Sequence, residues 1–487
     1  MSILFSRPAP GLGAIEEIAS GRHWDGAKLE NEIARRAAAL AEKGIGTLAT
    51  LAIAHGSSAD FFADLLAVWR LGATAACLDP ALTAPELQRL VAFIAPAAVL
   101  VSAKPLSCGS SAPLMNLTET GDLRSTDLAL VPQPGFPDAA APALVLFTSG
   151  TTGDPKGVVL SYGALAARIS ENIAAIGATA LARSLVTLPT SFGHGLIGNA
   201  LTPLLAGGCI VLGPSGFQLA RDLGRIIDAQ RISFMSSVPA LWRMAFKLGR
   251  PPTGDSLTRI HVGSAPLSAE LWSEIATWAR CEVVNCYGIT ETANWVGGAR
   301  ASEGIAQGLV GKPWGGEAAI CDESGIIRAS GEGEIVLRSP ALMSGYLARP
   351  DLSASAIRNG WYHTGDRGRV DQSGRIWLAG RIKEEINRAG FKVQPAEIDR
   401  LLEQHPAVAE ACAFAQPDPV AGETVGVAVC LLPGASETAE SLRVWCRARI
   451  RREAVPEHWH FLHEIPRNAR GKLNRDAVQR LIAEDPQ

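Results

Sequence analysis

The chain has 487 residues, of which 47% are hydrophobic and 19% charged, a balance that excludes a largely disordered protein. Lysine and arginine number 45 and aspartate and glutamate 48, so the net charge of −3 argues against a general nucleic-acid-binding protein. At roughly 150 residues per domain, the length predicts two to four domains, or one large and one small domain.

Cysteine usage and the first residues favour a cytoplasmic protein. The nine cysteines form no C-x-x-C pair, and residues 1–10 lack a basic start followed by an apolar run. We therefore expect reduced thiols and no secretory signal. The apolar stretch Leu90–Val101 contains Pro96 and is too short to span a bilayer, so we expect no membrane span.

Helical and strand-like patterns alternate in the first part of the chain. Asp25–Gly44 is predicted to be a helix, Leu51–Ala54 a buried strand and Phe61–Leu71 a helix, and a further strand is predicted to end at Cys77. This alternation predicts a mostly parallel sheet covered by helices.

The pattern changes after residues 380–383. We predict helices over Pro395–Gln404 and Ala439–Arg452, with strands over Val408–Ala415 and Gly426–Leu432 between them. The sequence therefore predicts two domains, a large one over residues 1–382 and a small α+β domain over residues 383–487.

The most informative segment begins at the apolar strand Leu144–Phe147. It continues as Thr148-Ser149-Gly150-Thr151-Thr152-Gly153-Asp154-Pro155-Lys156-Gly157. Small residues let backbone N–H groups point at anionic oxygens, hydroxyls add donors, and a lysine adds a mobile positive charge. Because Lys156 stands between Pro155 and Gly157, this is not a Walker A loop, but its chemistry suits a polyphosphate.

This segment resembles the phosphate loop of the acyl-adenylate-forming superfamily, which contains acyl- and aryl-CoA synthetases, firefly luciferase and the adenylation domains of peptide synthetases. The other motifs of that superfamily follow in order. They are Gly263-Ser264-Ala265-Pro266, Tyr287-Gly288-Ile289-Thr290-Glu291, Gly333-Glu334-Ile335, Gly345-Tyr346, Trp361-Tyr362-His363-Thr364-Gly365-Asp366, Gly380-Arg381 and Pro466-Arg467 with Gly471-Lys472. The resemblance covers nearly the whole chain.

The resemblance implies an α/β fold with a large N-terminal domain of mostly parallel sheets covered by helices, a small distorted barrel and a small mobile α+β C-terminal domain. The implied reaction has two steps. A carboxylate attacks the α-phosphorus of ATP and expels pyrophosphate, and a thiol then attacks the acyl-adenylate. ATP, Mg²⁺ and coenzyme A are the implied cofactors.

The resemblance also assigns roles to individual residues. The implied catalytic residues are Lys472, Glu291, His194 and Thr151, with Glu291 as the Mg²⁺ ligand and Lys383 as the hinge between two domain orientations. The implied nucleotide and coenzyme contacts are Thr148, Ser149, Gly150, Thr152, Gly153, Lys156, Gly263, Ser264, Ala265, Tyr287, Gly288, Thr290, Asp366, Arg381 and Gly390.

The implied acid pocket is lined by Phe192, Gly195, Ser236, Ser237, Asn294 and Trp295. No aspartate or glutamate occurs between Leu188 and Leu205, where amino-acid-activating relatives place a partner for the α-ammonium. Burying an unpaired ammonium is costly, so we expect a carboxylic acid without an α-amine. The bulk of Trp295 favours an aryl or a short-to-medium acyl group.

Three alternatives remain open at this stage. The chain is a CoA ligase, a ligase that loads a separate phosphopantetheine carrier protein, or a luciferase-like oxygenase or non-catalytic adenylate binder. The presence of Lys472, Glu291 and Asp366 disfavours the inactive version. An arginine cluster at positions 443, 447, 449, 451 and 452 is either a solvated basic face or a docking patch for the CoA 3′-phosphate or an acidic carrier protein.

Overall fold

The computed structural model describes residues 11–102, 112–118, 137–148, 156–388, 391–418, 422–467 and 472–484. Ser149, Gly150, Thr151, Thr152, Gly153 and Gly390 lie outside the described residues, as does the side chain of Thr148. The chain forms two compact units. The first comprises Met1–Ile305, Gly311–Glu317 and Arg338–Tyr362, and the second comprises Ala306–Val310, Ala318–Leu337 and His363–Gln487.

The first unit contains two sheets. In the first sheet, five neighbouring strands are parallel and the two strands on one side are antiparallel. Its strands lie in the order Gly345–Tyr346, Lys156–Ser161, Pro142–Thr148, Thr74–Cys77, Thr50–Ile53, Ala98–Leu100 and Leu114–Met115. The strand that leads into the phosphate loop, Pro142–Thr148, therefore lies inside this sheet.

The second sheet is also mostly parallel, with antiparallel strands at its two sides. Its order is Asn294–Arg300, Glu282–Ile289, Arg259–Val262, Phe234–Ser237, Arg183–Val186, Cys209–Leu212, Ile15–Glu17 and His23–Trp24. The loops that carry the predicted site follow the carboxyl ends of these strands, where α/β sheets bind ligands.

Helices in the first unit cover the sheets with apolar faces. They are Gly26–Glu42, Ala59–Arg70, Ala84–Ile94, Tyr162–Ile176, Thr202–Leu205, Gly216–Ala229, Pro239–Leu248, Ala269–Ala279 and Pro350–Ala356. Ser58, Ser161 and Ser268 each accept a backbone N–H at a helix start. The predicted helix–strand alternation and the large α/β domain are thus confirmed.

The second unit contains short strands followed by an α+β region. The strands Ile327–Arg328, Glu317–Cys321, Gly331–Arg338, Trp361–Val370 and Ile376–Arg381 are neighbours in that order. The α+β region has the strands Phe391–Val393, Ile386–Arg388, Gly422–Leu431, Val408–Asp418 and His458–Phe461 and the helices Pro395–Glu403, Ala439–Arg447 and Arg475–Glu484. The boundary predicted between residues 382 and 383 lies inside this unit, and as the boundary of a movable domain it stays a prediction.

The predicted helix Ala439–Arg452 is wrong in its length. The helix ends at Arg447, and a separate single turn follows at Arg452–Ala454. Arg443 pairs with Glu440 at 2.6 Å and Arg451 with Glu397 at 2.6 Å, so the arginine cluster does not form one continuous helical face. Among the described residues, the helices are too short or too polar to cross a membrane.

Candidate active site

Three elements of the first unit converge on Glu291. Lys156 begins the strand Lys156–Ser161, which pairs with the short strand that contains Tyr346. Glu291 lies in a single helical turn, Thr290–Thr292, directly after the strand Glu282–Ile289. Pairing of the strands therefore brings side chains from three distant parts of the sequence to one place.

The Lys156 ammonium lies 4.0 Å from Glu291 Oε1 and 3.9 Å from the centre of the Tyr346 ring. The Tyr346 hydroxyl donates to Glu291 Oε1 over 2.8 Å. Burial, followed by the charge of Glu291, raises the pKa of Tyr346, so the phenol stays protonated and remains a donor. Lys156 and Tyr346 together balance a largely buried carboxylate.

This arrangement fits a magnesium–polyphosphate complex. Mg²⁺ is held in such sites by one or two carboxylates together with phosphate oxygens and water, and Glu291 is a largely buried carboxylate beside the phosphate-loop strand. The Lys156 side chain is 33% exposed, so its ammonium can also meet a phosphate. Thr290 begins the turn that holds Glu291 and is partly exposed.

The backbone around Glu291 is fixed on both sides. Met343 donates its N–H to the Glu291 carbonyl over 2.8 Å. Ala293 and Asn294 follow with φ values of +52° and +97°, a left-handed region that is costly for residues with a side chain. The strain is local to the Glu291 loop, and such strain at a ligand loop is maintained only by surrounding contacts.

His194 lies at the start of a wide helical segment, His194–Leu201, of the kind often found at functional sites. Its Nδ1 lies 2.7 Å from Ser264 Oγ and its Nε2 2.6 Å from Ser236 Oγ. These two hydroxyls fix the ring plane of a 6% exposed histidine. His194, Ser236 and Ser264, which were predicted separately, form one hydrogen-bonded group.

A cluster of aromatic rings closes the space behind His194. Trp295 is 1% exposed, with its ring centre 5.5 Å from His194 and 4.7 Å from His261. Ser237 is also buried here, accepts from Trp242 Nε1 over 2.8 Å and donates to the His261 carbonyl. Trp295 therefore packs close to His194, and its role in limiting an acyl pocket stays a prediction.

The remaining predicted pocket and adenine-side residues lie on the same loops. Phe192 has its ring centre 6.5 Å from that of His194, and Asn294 is buried in the loop after Glu291. The glycines are needed for backbone packing: a Cβ at Gly195 would lie 2.0 Å from the Pro189 carbonyl, and one at Gly288 2.7 Å from the Asn294 carbonyl.

Gly263, Ser264 and Ala265 follow the strand Arg259–Val262, and Tyr287 lies in the neighbouring strand Glu282–Ile289. A Cβ at Gly263 would lie 2.9 Å from the Cys286 carbonyl and 3.6 Å from His194 Cε1. Gly263 therefore lies between the strand that contains Tyr287 and the His194 ring. The role of Tyr287 at adenine stays a prediction.

The ribose motif is formed within the second unit. Asp366 Oδ1 forms an ion pair with Arg381 Nε at 2.6 Å, and Arg381 also donates to the Thr364 carbonyl over 3.2 Å. Asp366 is 5% exposed, and its N–H donates to Thr364 Oγ1. The two predicted ribose contacts are thus adjacent, and their role at the ribose stays a prediction.

A possible metal-binding group lies near this motif. Ligand atoms of Cys321, Glu334 and His363 lie within 4.8 Å of one another. One Glu334 oxygen accepts the Gly365 N–H over 2.9 Å, and the other lies 2.7 Å from His363 Nδ1. These contacts already account for Glu334, which fixes the turn before Asp366.

Lys383 and Lys472 lie in the second unit. Lys383 is the middle residue of the turn Ile382–Glu384, and Lys472 is exposed next to Leu473, which bridges to Arg467. The residues on the two sides of Lys383 have different partners. Arg381 contacts Asp366, whereas Glu384 contacts Arg475 at 3.0 Å. The hinge role of Lys383 and the catalytic role of Lys472 stay predictions.

The model of the AMP-binding enzyme family matches residues 7–347, and that of the AMP-binding enzyme C-terminal domain matches residues 397–472. The chain belongs to the family of AMP-binding enzymes. It is 31% identical to an oxalate–CoA ligase of Arabidopsis thaliana (94% of each chain) and to an indoleacetate–CoA ligase of Aromatoleum aromaticum (94% and 93%). ATP-bound MatB from Rhodopseudomonas palustris superposes with a TM-score of 0.84 at 25% identity over 99% of this chain and 98% of that one.

These relatives confirm the expected superfamily and the prediction of an AMP-forming acid–CoA ligase. Two residues near Glu291 were missed as site residues: Tyr346, which contacts Glu291 itself, and Arg168, which contacts the next residue, Thr292. Tyr346 lies in a motif that was recognised only as a pattern. Arg168 has a weak sequence signal, because it lies on the helical face that also carries Leu165 and Ile169.

Proposed function

We propose that this AMP-binding enzyme activates a short carboxylic acid as its adenylate and transfers the acyl group to coenzyme A. The acid has no α-amine and no charged group other than the reacting carboxylate. The observation that carries the proposal is the Lys156–Glu291–Tyr346 group at the start of the strand Lys156–Ser161. Its substrates are ATP, the acid and coenzyme A, and its metal cofactor is Mg²⁺.

In the first step, the acid carboxylate attacks the α-phosphorus of ATP and pyrophosphate leaves. When bound, Mg²⁺ would supply positive charge to the phosphate oxygens. Glu291 would hold the metal, and the Lys156 ammonium would contact a phosphate. Lys472 brings its ammonium to the reacting carboxylate and α-phosphate, and Asp366 with Arg381 binds the ribose hydroxyls.

Acid selection follows from the His194 pocket. The described side chains around His194 include the hydroxyls of Ser236 and Ser264 and the ring of Trp295, and none of these carries a formal charge. A second carboxylate or an ammonium on the acid would lose its hydration there without gaining a charged partner among these three side chains. The ring of Trp295 favours a short acyl group.

In the second step, the thiol of coenzyme A attacks the adenylate carbonyl and AMP leaves. Arg381 contacts Asp366, which precedes the turn, whereas Glu384 contacts Arg475, which lies in the C-terminal helix. This difference on the two sides of Lys383 supports Lys383 as the residue that absorbs a domain rotation between the two steps. Gly390 is proposed to let the thiol arm approach. A separate carrier protein is the alternative acceptor, and a cytoplasmic location is part of the proposal.

A screen of carboxylic acids by pyrophosphate exchange into ATP tests the proposal. Short acids with a single carboxylate and no other charged group should support exchange better than their α-amino or dicarboxylic counterparts. Addition of coenzyme A should then give a thioester. A best substrate with an α-ammonium or a second carboxylate would contradict the assigned pocket. Thioester formation only with a phosphopantetheine carrier protein would replace coenzyme A as the acceptor.

A further inference from the structure

Arg168 is a nearly completely buried arginine on the helix Tyr162–Ile176, which directly follows the strand Lys156–Ser161. Its side chain is 1% exposed, and burial lowers the pKa of the guanidinium to about 10. The Arg168 side chain is therefore still charged at neutral pH. Buried charges are rare unless they are paired and hydrogen-bonded, so this position requires an explanation.

The contacts of Arg168 reach the loop of Glu291. Its Nε donates to the Thr292 carbonyl over 3.0 Å and its Nη1 to the Trp314 carbonyl over 3.1 Å. Glu171, one helical turn along, supplies the countercharge, with its carboxylate 2.8 Å from Nη1. Arg168 thus joins the helix after the phosphate loop to the residue that directly follows Glu291.

The segment that Arg168 holds is strained. The next two residues, Ala293 and Asn294, have φ values of +52° and +97°, and the Thr292 side chain donates to the Ile289 and Asn294 carbonyls. A segment with this backbone needs contacts from outside the loop to persist. The guanidinium supplies such a contact one residue from the metal-holding carboxylate.

We propose that Arg168 is a positioning residue for the Mg²⁺ and ATP site, which fixes the backbone at Thr292 and thereby the direction of the Glu291 carboxylate. It touches neither substrate nor metal, and it acts through Glu291. The same guanidinium fixes the Trp314 carbonyl, and the Trp314 ring lies 6.0 Å from that of Trp295. This inference rests on the proposed function, because it takes Glu291 as the Mg²⁺ ligand.

The test measures binding of a non-cleavable ATP analogue, α,β-methylene-ATP, by calorimetry with and without Mg²⁺ and without any acid. Four variants are compared with wild type: Arg168→Met, Arg168→Lys, the double variant Arg168→Met with Glu171→Gln, and Arg259→Met. The double variant avoids an unpaired buried carboxylate. Arg259 is the matched control, because it donates to the Ala175 and Ile176 carbonyls at the end of the same helix, at 2.9 and 3.0 Å.

Loss of a residue that orients a metal ligand typically weakens metal affinity by about 10-fold to 100-fold. We expect that loss for Arg168→Met and for the double variant in the presence of Mg²⁺, with a smaller loss for Arg168→Lys. Binding without Mg²⁺ should change little. Arg259→Met should lower the melting temperature while its Mg²⁺-dependent affinity stays at the wild-type value.

Wild-type Mg²⁺-dependent affinity in folded Arg168→Met would overturn the inference and leave the proposed function standing. An equal loss in Arg259→Met, or an equal loss with and without Mg²⁺, would also overturn it, because either result indicates a general structural role. If wild-type protein binds the analogue without any effect of Mg²⁺, both the proposed function and this inference fail.

Discussion

The phenolic hydroxyl of Tyr346 donates a hydrogen bond to Glu291 Oε1 over 2.8 Å, although the two residues are 55 positions apart in the sequence. The same ring lies beneath the Lys156 ammonium. Tyr346 therefore orients the carboxylate and the ammonium that we assign to Mg²⁺ and phosphate, and it does so from a two-residue strand of the first sheet.

Tyr346→Phe removes this hydroxyl and keeps the ring. A hydrogen bond to a charged group contributes about 1.5–3 kcal/mol, so we expect kcat/KM for ATP to fall by about 10-fold or more. Steady-state kinetics at varied ATP and Mg²⁺ measures the change. Tyr162→Phe is the control, because Tyr162 donates to the Ala73 carbonyl over 2.7 Å and has no place in the site. An equal effect of both substitutions would refute the orienting role.

Lys472→Ala and Lys383→Pro should separate the two chemical steps. Removing one charge that stabilises the transition state costs on the order of 10²–10³ in rate, and for Lys472→Ala we expect this loss in adenylate formation alone. Lys383 is the second residue of its turn, a position where proline fits. Lys383→Pro should therefore fold and form adenylate, but resist the rotation needed for thioester formation.

The two assays are pyrophosphate exchange and thiol capture of a synthetic acyl-adenylate, performed on both variants. Lys472→Arg and Lys383→Ala serve as controls that keep the charge and the backbone freedom, respectively. Melting temperatures near that of wild type exclude unfolding as the cause. Proportional loss of both steps in both variants would remove the support for two domain orientations.

Trp295→Ala should lengthen the acids that the enzyme accepts. The substitution leaves a cavity behind His194, at a cost of about 3–5 kcal/mol of stability, and the cavity can take a longer acyl chain. We expect the ratio of kcat/KM for a medium-chain acid to that for a short acid to rise. Trp272→Ala is the control, because Trp272 is a buried tryptophan whose Nε1 donates to the Val283 carbonyl over 3.0 Å and which was not assigned to the pocket. An unchanged ratio in Trp295→Ala would place the acyl chain elsewhere.

His261 should make the stability of the protein depend on pH. Burial holds its pKa well below the ordinary value of 6.5, so the folded state does not take up the proton that the unfolded state gains. The free energy of unfolding should therefore fall as the pH drops below 6.5, by up to about 1.4 kcal/mol per pH unit from this residue. Above pH 6.5 the histidine is neutral in both the folded and the unfolded state, so it makes no pH-dependent contribution to stability there.

His261→Phe should abolish this component, because both ring nitrogens are buried without a hydrogen-bond partner and no contact is lost with them. Urea unfolding at pH 7 and pH 5 compares the two proteins, so that other titrating groups cancel in the difference. Parallel losses of stability in wild type and His261→Phe would show that the histidine is protonated in the folded state.

Local pattern predicted much of the fold. The helices near residues 26–42 and 59–70 and the strands that alternate with them follow from apolar periodicity. In the structure these two helices are capped by Asp25 and Ser58. The helix that begins at Ala439 was predicted too long, because no glycine or proline marks its end. Its end at Arg447 is set by tertiary structure, as the single turn at Arg452–Ala454 packs against the strand Phe391–Val393.

The candidate site was predicted as a set of motifs, and the sequence could not predict how the motifs meet. His194 and Ser264 are 70 positions apart, and their hydrogen bond arises only because two loops follow neighbouring parts of the second sheet. Arg168 belongs to no motif, and its contact with the Thr292 carbonyl spans 124 positions. Such contacts depend on strand pairing, which periodicity does not encode.

Analysis of the nucleotide products tests the central claim most directly. Purified protein is incubated with ATP, Mg²⁺, coenzyme A and the best acid from the screen, and the nucleotides, phosphates and thioester are separated and quantified. The account predicts AMP, pyrophosphate and acyl-CoA in equal amounts, with the rate of formation of all three lowered by about 10²–10³ in Lys472→Ala, in a protein that remains folded. Formation of ADP and phosphate would contradict it, because attack would then have occurred at the γ-phosphorus.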